Sequence, residues 1–201
     1  MTEADPATGP GAATGAGSAL PPAGTVRPVV RWGEPVMHRV QEPVTHYDDD
    51  LRALVADMVA TMYAADGVGL AACQIGVDRS VFVLDCPDEE GARHRAVVCN
   101  PVLHLPTGRD RELDDGEEGC LSLPGAFVAC ARPGYARVEG TGLDGTPVTV
   151  AGRGLLARCL QHETDHCQGT VFGDRLNRRA RKRLFKEAEA LADRFPAGWP
   201  A

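Results

Sequence analysis

The chain has 201 residues, of which 43% are hydrophobic and 24% charged, which suits one folded domain. Its net charge of −7 argues against nucleic acid as a general partner. Seven cysteines, an odd count without small-scaffold spacing, point to reduced thiols in a cytoplasm and not to a disulfide framework.

Residues 1–24 hold 16 Ala, Gly or Pro and almost no large apolar side chain, so residues 1–28 are expected to form a disordered tail. They show neither the basic start nor the apolar run of a signal peptide, and no segment is long enough to cross a membrane. A single domain is expected over 29–195, with a short tail at 196–201. Its first helix is predicted at about 48–66, where Leu51, Leu54, Val55, Met58, Val59 and Met62 share one face. Asp48, Asp49 and Asp50 supply a cap and favourable charge at its start, and Gly67 the stop. The segment Gly67-Val68-Gly69-Leu70-Ala71-Ala72-Cys73-Gln74 has no following Lys-Ser/Thr and opens no helix, so it is not a phosphate loop. Gln74 is its one side chain with two hydrogen-bond donors, suited to an oxyanion.

Strand-like runs follow at Val81–Leu84, Ala96–Cys99, Phe127–Cys130, Tyr135–Val138 and Pro147–Val150, several of them separated by Gly-Asp, Asp-Gly or Pro-Gly turns. Among them lies Glu118-Gly119-Cys120-Leu121-Ser122-Leu123-Pro124-Gly125, bounded by glycine and proline as a backbone passing close to a site requires. A second helix is predicted at about 153–167, with Gly169 as its stop, and an amphipathic one at about 175–194. Antiparallel strands around a central helix make an α+β domain.

That central helix carries His162-Glu163-Thr164-Asp165-His166. Residues four apart lie on one helical face, so both imidazoles can reach one metal ion. Glu163 falls about 100° further round, where a carboxylate serves as a base without ligating the ion. Leu155, Leu156, Cys159 and Leu160 make the helix apolar at its start, and buried histidines and a glutamate cost desolvation unless paired or metal-bound. Asp165 falls opposite the metal face and is given a structural role. The extended protease pattern with a third histidine fails because Phe172 occupies that slot. Three other residues compete as third ligand: Glu187 of the last helix, Cys159 one turn below His162, and Cys120. Glu187 sits in a charged stretch that reads as a solvated face, and Cys159 approaches from the side the helix covers. Cys120, from a separate segment, is preferred and leaves a coordination position open for water.

The segments GVGLAACQ, EGCLS and QHETDH, in this order and at these separations, closely resemble the three motifs of the peptide deformylases, over about Val29 to Phe172. Cys73 stands where proline or threonine is more usual, and Cys167 where leucine is usual; neither position is catalytic in the family. The resemblance implies an α+β fold with antiparallel sheets around a central metal-binding helix. It implies Cys120, His162 and His166 as metal ligands, Glu163 as acid/base, and Gln74 with the Leu121 N–H as oxyanion donors. Gly69 is placed beside the bound peptide. Val68, Leu155 and Cys159 are placed around the first side chain, and Glu118 with Arg132 as the ion pair that braces the cysteine loop. The implied metal is Fe(II), with Ni, Co or Zn as replacements, and the implied substrate is an N-formylmethionyl peptide. The expected enzyme is a cytoplasmic monomer. For the basic residues Arg178, Arg179, Arg181, Lys182, Arg183 and Lys186 the two readings are a solvated helix face and contact with ribosomal RNA. Two other functions stay open at this point: a zinc endopeptidase that uses Glu187, and a structural Cys₂His₂ site from Cys120 and Cys159.

Overall fold

The computed structural model of the protein describes residues 20–22 and 24–201. Most of the expected tail, residues 1–19 and 23, lies outside the described residues. Helix α1 (Asp49–Ala64) starts where the Asp48 carboxylate accepts the Leu51 N–H at 3.0 Å. It buries Leu51, Val55, Met58, Val59 and Met62, the face its spacing predicts. Strands β1 (Gly69–Ala71), β2 (Val81–Pro87) and β3 (Arg93–His104) follow, then the short β4 (Leu113–Asp114) and the hairpin of β5 (Glu117–Cys120) and β6 (Leu123–Ala129). After β7 (Arg132–Pro133) come β8 (Tyr135–Thr141) and β9 (Pro147–Arg153). Helices α2 (Gly154–Cys167), α3 (Phe172–Arg175) and α4 (Arg178–Ala190) complete the order.

The main sheet is antiparallel in the order β1-β2-β3-β8-β9, so β1 is an edge strand; β5 pairs with β6 alone. Alternation along β2 divides the interior. Val81 and Val83 face the core under α1, while Phe82, Leu84 and Cys86 face a second core around α2. Being covered on both faces, β2 reads as a continuous apolar run instead of an alternating one. Every residue of α2 from Leu156 to Cys167 is buried. A helix of this kind places its polar groups where water cannot satisfy them, so they must find partners inside. Two residues past its end lies Gly169, whose φ of +72° only glycine adopts easily and where a Cβ would sit 2.4 Å from the Arg39 carbonyl carbon. The last predicted helix is interrupted: Leu176 is extended between α3 and α4, and Asn177 caps the Arg179 and Ala180 N–H groups at 3.0 Å each.

Hydrogen bonds cross both expected boundaries. The N–H groups of Gly24, Thr25 and Arg27 donate to Ala56 O, Asp57 Oδ1 and Thr61 Oγ1 of α1 at 3.0, 2.8 and 2.9 Å. The boundary drawn at residue 29 therefore sits inside ordered chain, because helix side chains accept donors that composition alone does not reveal. At the other end, Trp199 O accepts from Val29 N–H at 2.9 Å, which ties the short tail at 196–201 to the start of the domain.

One buried charge ties α1 to the sheet. Asp85 on β2 accepts from Arg93 Nε at 2.5 Å, Arg95 Nε at 3.1 Å and Tyr63 Oη at 2.5 Å. Burial alone would raise its carboxyl pKa, but the bonds from Arg93, Tyr63 and Arg95 outweigh it and lower it from 3.8 to about 2. A depressed folded-state pKa adds stability that is complete above the unfolded value and lost as pH falls towards about 2. Asp85→Asn should therefore destabilise the fold near neutrality by about 1.5 kcal/mol, the low end for charged hydrogen bonds because both guanidiniums are more than half exposed. The gap between wild type and variant in urea melts should be constant above pH 5 and shrink below pH 4. A gap independent of pH down to 3 would show that the carboxylate charge is not what counts.

Candidate active site

Helix α2 presents His162 and His166 one turn apart, with ring centroids 4.8 Å apart. Their Nε2 atoms lie 3.2 Å from each other, and Cys120 Sγ lies 3.4 Å from His166 Nε2. All three ligand-type atoms fall within 4.8 Å of one another, and all three residues are buried. Cys120 arrives at the end of β5, where the β5–β6 register shifts between Gly119 and Cys120 and turns the chain towards α2.

The surroundings fix the orientation of each donor. His162 Nδ1 is 2.7 Å from Glu118 Oε1, which leaves Nε2 to face the cluster. Glu118 also accepts from Arg132 Nε at 3.0 Å, Arg132 Nη2 at 2.5 Å and Arg158 Nη1 at 2.9 Å. Burial by itself would raise the Glu118 pKa; the bonds from His162 and Arg132 outweigh it and hold the group ionised far below the usual carboxylate range. Arg132 continues to Asp165 Oδ2 at 2.7 Å, and Arg175 closes the chain on the same carboxylate. Asp165 thus has the structural role that its place opposite the metal face implies. The Phe172 ring lies 5.8 Å from that of His162, packing it from the side.

Gln74 sits on a 3-10 turn (Ala72–Ile75) just after β1. Its Oε1 accepts the Ala71 N–H at 2.9 Å, so the amide cannot flip and Nε2 points into the site, 3.6 Å from Cys120 Sγ. One of its two N–H bonds goes to the sulfur. Glu163 lies against β1: a Cβ on Gly69 would be 2.6 Å from Glu163 Oε1 and 2.8 Å from Cys159 Sγ. Only glycine lets the main chain come this close to the carboxylate. Glu163 Oε2 is buried without a hydrogen-bond partner among the described residues. Burial is the main cause that pushes its pKa from 4.5 up to about 7.

These groups border a cavity of about 430 Å³. Val68, Gly69, Gln74, Cys120, Leu121, Leu155, Cys159, His162 and Glu163 all line it, so the structure brings the expected site residues together around one space. His166 completes the ligand cluster behind them. Cys159 stands apart from the ligand group, its thiol 3.7 Å from Val68 O. Glu187 is remote in role as well: it accepts from Arg183 Nε at 2.7 Å on the flank of α4. The donor set suits a borderline divalent ion, since two imidazole nitrogens and a thiol meet there. Burial disfavours an imidazolium at His162, yet Cys120 and Glu118 outweigh it and raise that pKa, while burial and His162 push His166 well below its ordinary value.

Sequence reasoning missed Arg158 and the bond from His162 to Glu118. Arg158 lies four residues before His162 on the same face of α2, and a buried arginine at that spacing signals a carboxylate partner.

The profile of the polypeptide deformylase family matches residues 26–182. The chain is 52% identical over 174 residues to peptide deformylase 1 of Streptomyces avermitilis, covering 86% of this chain and 80% of that one. It is 49% identical over 164 residues to peptide deformylase 2 of Streptomyces coelicolor, covering 82% and 90%. Among solved structures it is similar to a peptide deformylase from Legionella pneumophila, with TM-score 0.73, 34% identity and coverage of 83% and 95%. A peptide deformylase from Synechococcus elongatus in complex with actinonin gives TM-score 0.70 and 34% identity, with coverage of 87% and 90%. A matched profile that spans the ligand cluster, the Gln74 turn and β5 leaves one assignment: the chain belongs to the polypeptide deformylase family.

Proposed function

We propose that the chain hydrolyses the formyl amide of N-formylmethionyl polypeptides, releasing formate and a free amino terminus. The observation that carries this is the convergence of Cys120, His162 and His166 with an unpartnered Glu163 oxygen and an anchored Gln74 amide on one cavity. Cys120, His162 and His166 would hold a divalent ion, Fe(II) in this reading with Ni, Co or Zn as replacements, which supplies Lewis acidity and brings the pKa of water towards neutrality. Glu163 takes a proton from the attacking water as its oxygen bonds to the formyl carbon. The C–N bond then breaks, Glu163 hands that proton to the leaving nitrogen, and the chain departs as an amine. Gln74 Nε2 and the Leu121 N–H hold the oxyanion between these steps, each such donor contributing about 2.7–4 kcal/mol in measured cases. Val68, Leu155 and Cys159 surround the methionine side chain. Glu118 and Arg132 are positioning residues that act through His162.

The formyl carbon bears only hydrogen, so an added methyl displaces the carbonyl from both donors. Acetyl-Met peptides should therefore react on the order of 10²-fold or more slowly than formyl-Met peptides. Mass spectrometry with a formate assay tests this: formyl-Met peptides should lose one formyl group with the chain intact. Internal cleavage without formate would overturn the assignment in favour of an endopeptidase. On α4, Arg178, Arg179, Lys182 and Lys186 face solvent, whereas Arg181 covers Trp32 and Arg183 pairs with Glu187. We read the four exposed charges as a contact for ribosomal RNA, with the enzyme working as a cytoplasmic monomer on chains as they are made. Among the described residues no helix is long and apolar enough to cross a membrane.

A further inference from the structure

The cavity has a wall that none of these roles uses. Phe195 and Trp199 line it beside Pro124, Gly125 and Phe127, beyond residue 182 where the family match ends. Their rings stand edge to face, 5.2 Å apart at 83°, and both are half-buried. At Gly125 φ is +78°, and a Cβ there would lie 2.8 Å from Phe195 Cε2, so a glycine lets the ring seat on β6. The segment is fastened from behind. Arg31 Nη2 donates to Phe195 O at 2.5 Å and Pro196 O at 3.2 Å, and Val29 N–H donates to Trp199 O. The same stretch donates from Val30 N–H to Gln74 O at 2.8 Å and from Trp32 N–H to Ser122 O at 3.1 Å. The stretch 29–32, through its backbone and the Arg31 side chain, therefore ties the segment carrying the two rings to Gln74 and to the turn after Cys120.

We propose that Phe195 and Trp199 form a subsite for an apolar side chain of the polypeptide downstream of its first residue. The inference rests on the deformylase reading and adds a substrate preference to it. A formyl-methionyl group fills only part of a 430 Å³ cavity, and Val68, Leu155 and Cys159 account for one flank of it. The remaining lining offers the two aromatic rings, Pro124 and the 52% exposed Phe127, while the charged Asp66, Glu117 and Arg158 border the same cavity. Such a surface gains by burying leucine or phenylalanine and gives nothing to an aspartate that must shed its water. The backbone that carries the rings is held by these bonds before substrate arrives, so little main-chain ordering is needed on binding.

The test uses the metal-loaded full chain and two peptide series, formyl-Met-X-Ser and formyl-Met-Ala-X, with X as Leu, Phe, Ser or Asp. In at least one series kcat/KM for Leu should exceed that for Asp by about tenfold. In Phe195→Ala and Trp199→Ala this ratio should fall to near one. Uniform slowing of all peptides with the ratio kept would give the rings a purely structural role and overturn the proposal. A second readout does not depend on turnover. The chain has two tryptophans, so Trp32→Phe leaves Trp199 as the sole reporter. Its emission should shift with the product peptide Met-Leu-Ser and not with Met-Asp-Ser. A shift without formate from any formyl peptide would sink the deformylase reading and keep the subsite; no shift with either peptide would sink the subsite.

Discussion

Glu163→Gln should keep its metal and lose about 10²–10⁴-fold in kcat, the range that general acid–base catalysis contributes. Glutamine preserves the volume beneath Gly69, where the present carboxylate leaves no room even for a Cβ. The substituted amide has no basic oxygen with which to take the proton from water, and its N–H cannot be passed to the leaving nitrogen. Ligand geometry should be intact because His162 is oriented by Glu118 and not by Glu163. Metal content and turnover measured on the same preparation decide the matter. Full turnover in a metal-loaded Glu163→Gln enzyme would remove Glu163 from the mechanism.

Cys120→Ser should lose both metal and activity, with affinity reduced by more than the roughly 100-fold that loss of an orienting partner already costs. The hydroxyl is a poor ligand for the ions that suit imidazole and thiolate. Cys159→Ser and Glu187→Gln should both retain the ion, since Cys159 meets the Val68 carbonyl and Glu187 pairs with Arg183. Elemental analysis after anaerobic purification distinguishes the three. If Glu187→Gln stripped the ion while Cys120→Ser kept it, the ligand cluster would be misassigned.

The site was more legible than its supports. His162, Glu163 and His166 declare themselves because one helical turn and a five-residue window encode their geometry, and α1 because its apolar face repeats at helical spacing. Strand β5 was read as a loop, for Glu117-Glu118-Gly119-Cys120 has no strand-like composition; it is held by pairing with β6 and by the Glu118 ion pairs. Strand β1 was hidden likewise, three residues inside a glycine-rich segment whose extended shape comes from register with Phe82–Leu84. The Glu118–Arg132 pair comes from the resemblance alone, and Arg158 and Arg175 carry no local signal until tertiary contacts supply Glu118, Asp114 and Asp165. Nor could local pattern place Phe195 and Trp199, since their location depends on backbone bonds to residues 160 or more positions earlier.

Among the described residues, strands β1 and β5 each have one neighbouring strand, and residues of both border the cavity. Unpaired strand edges are a hazard in most proteins because they capture any extended chain that arrives. Beside a cavity that takes polypeptide, the same hazard would become a useful property. An extended polypeptide laid between two such edges can be gripped by its own amide groups, which every protein sequence carries alike. A processing enzyme that meets thousands of different amino termini gains from holding what they share, leaving side-chain preferences to adjust rates and not to decide admission.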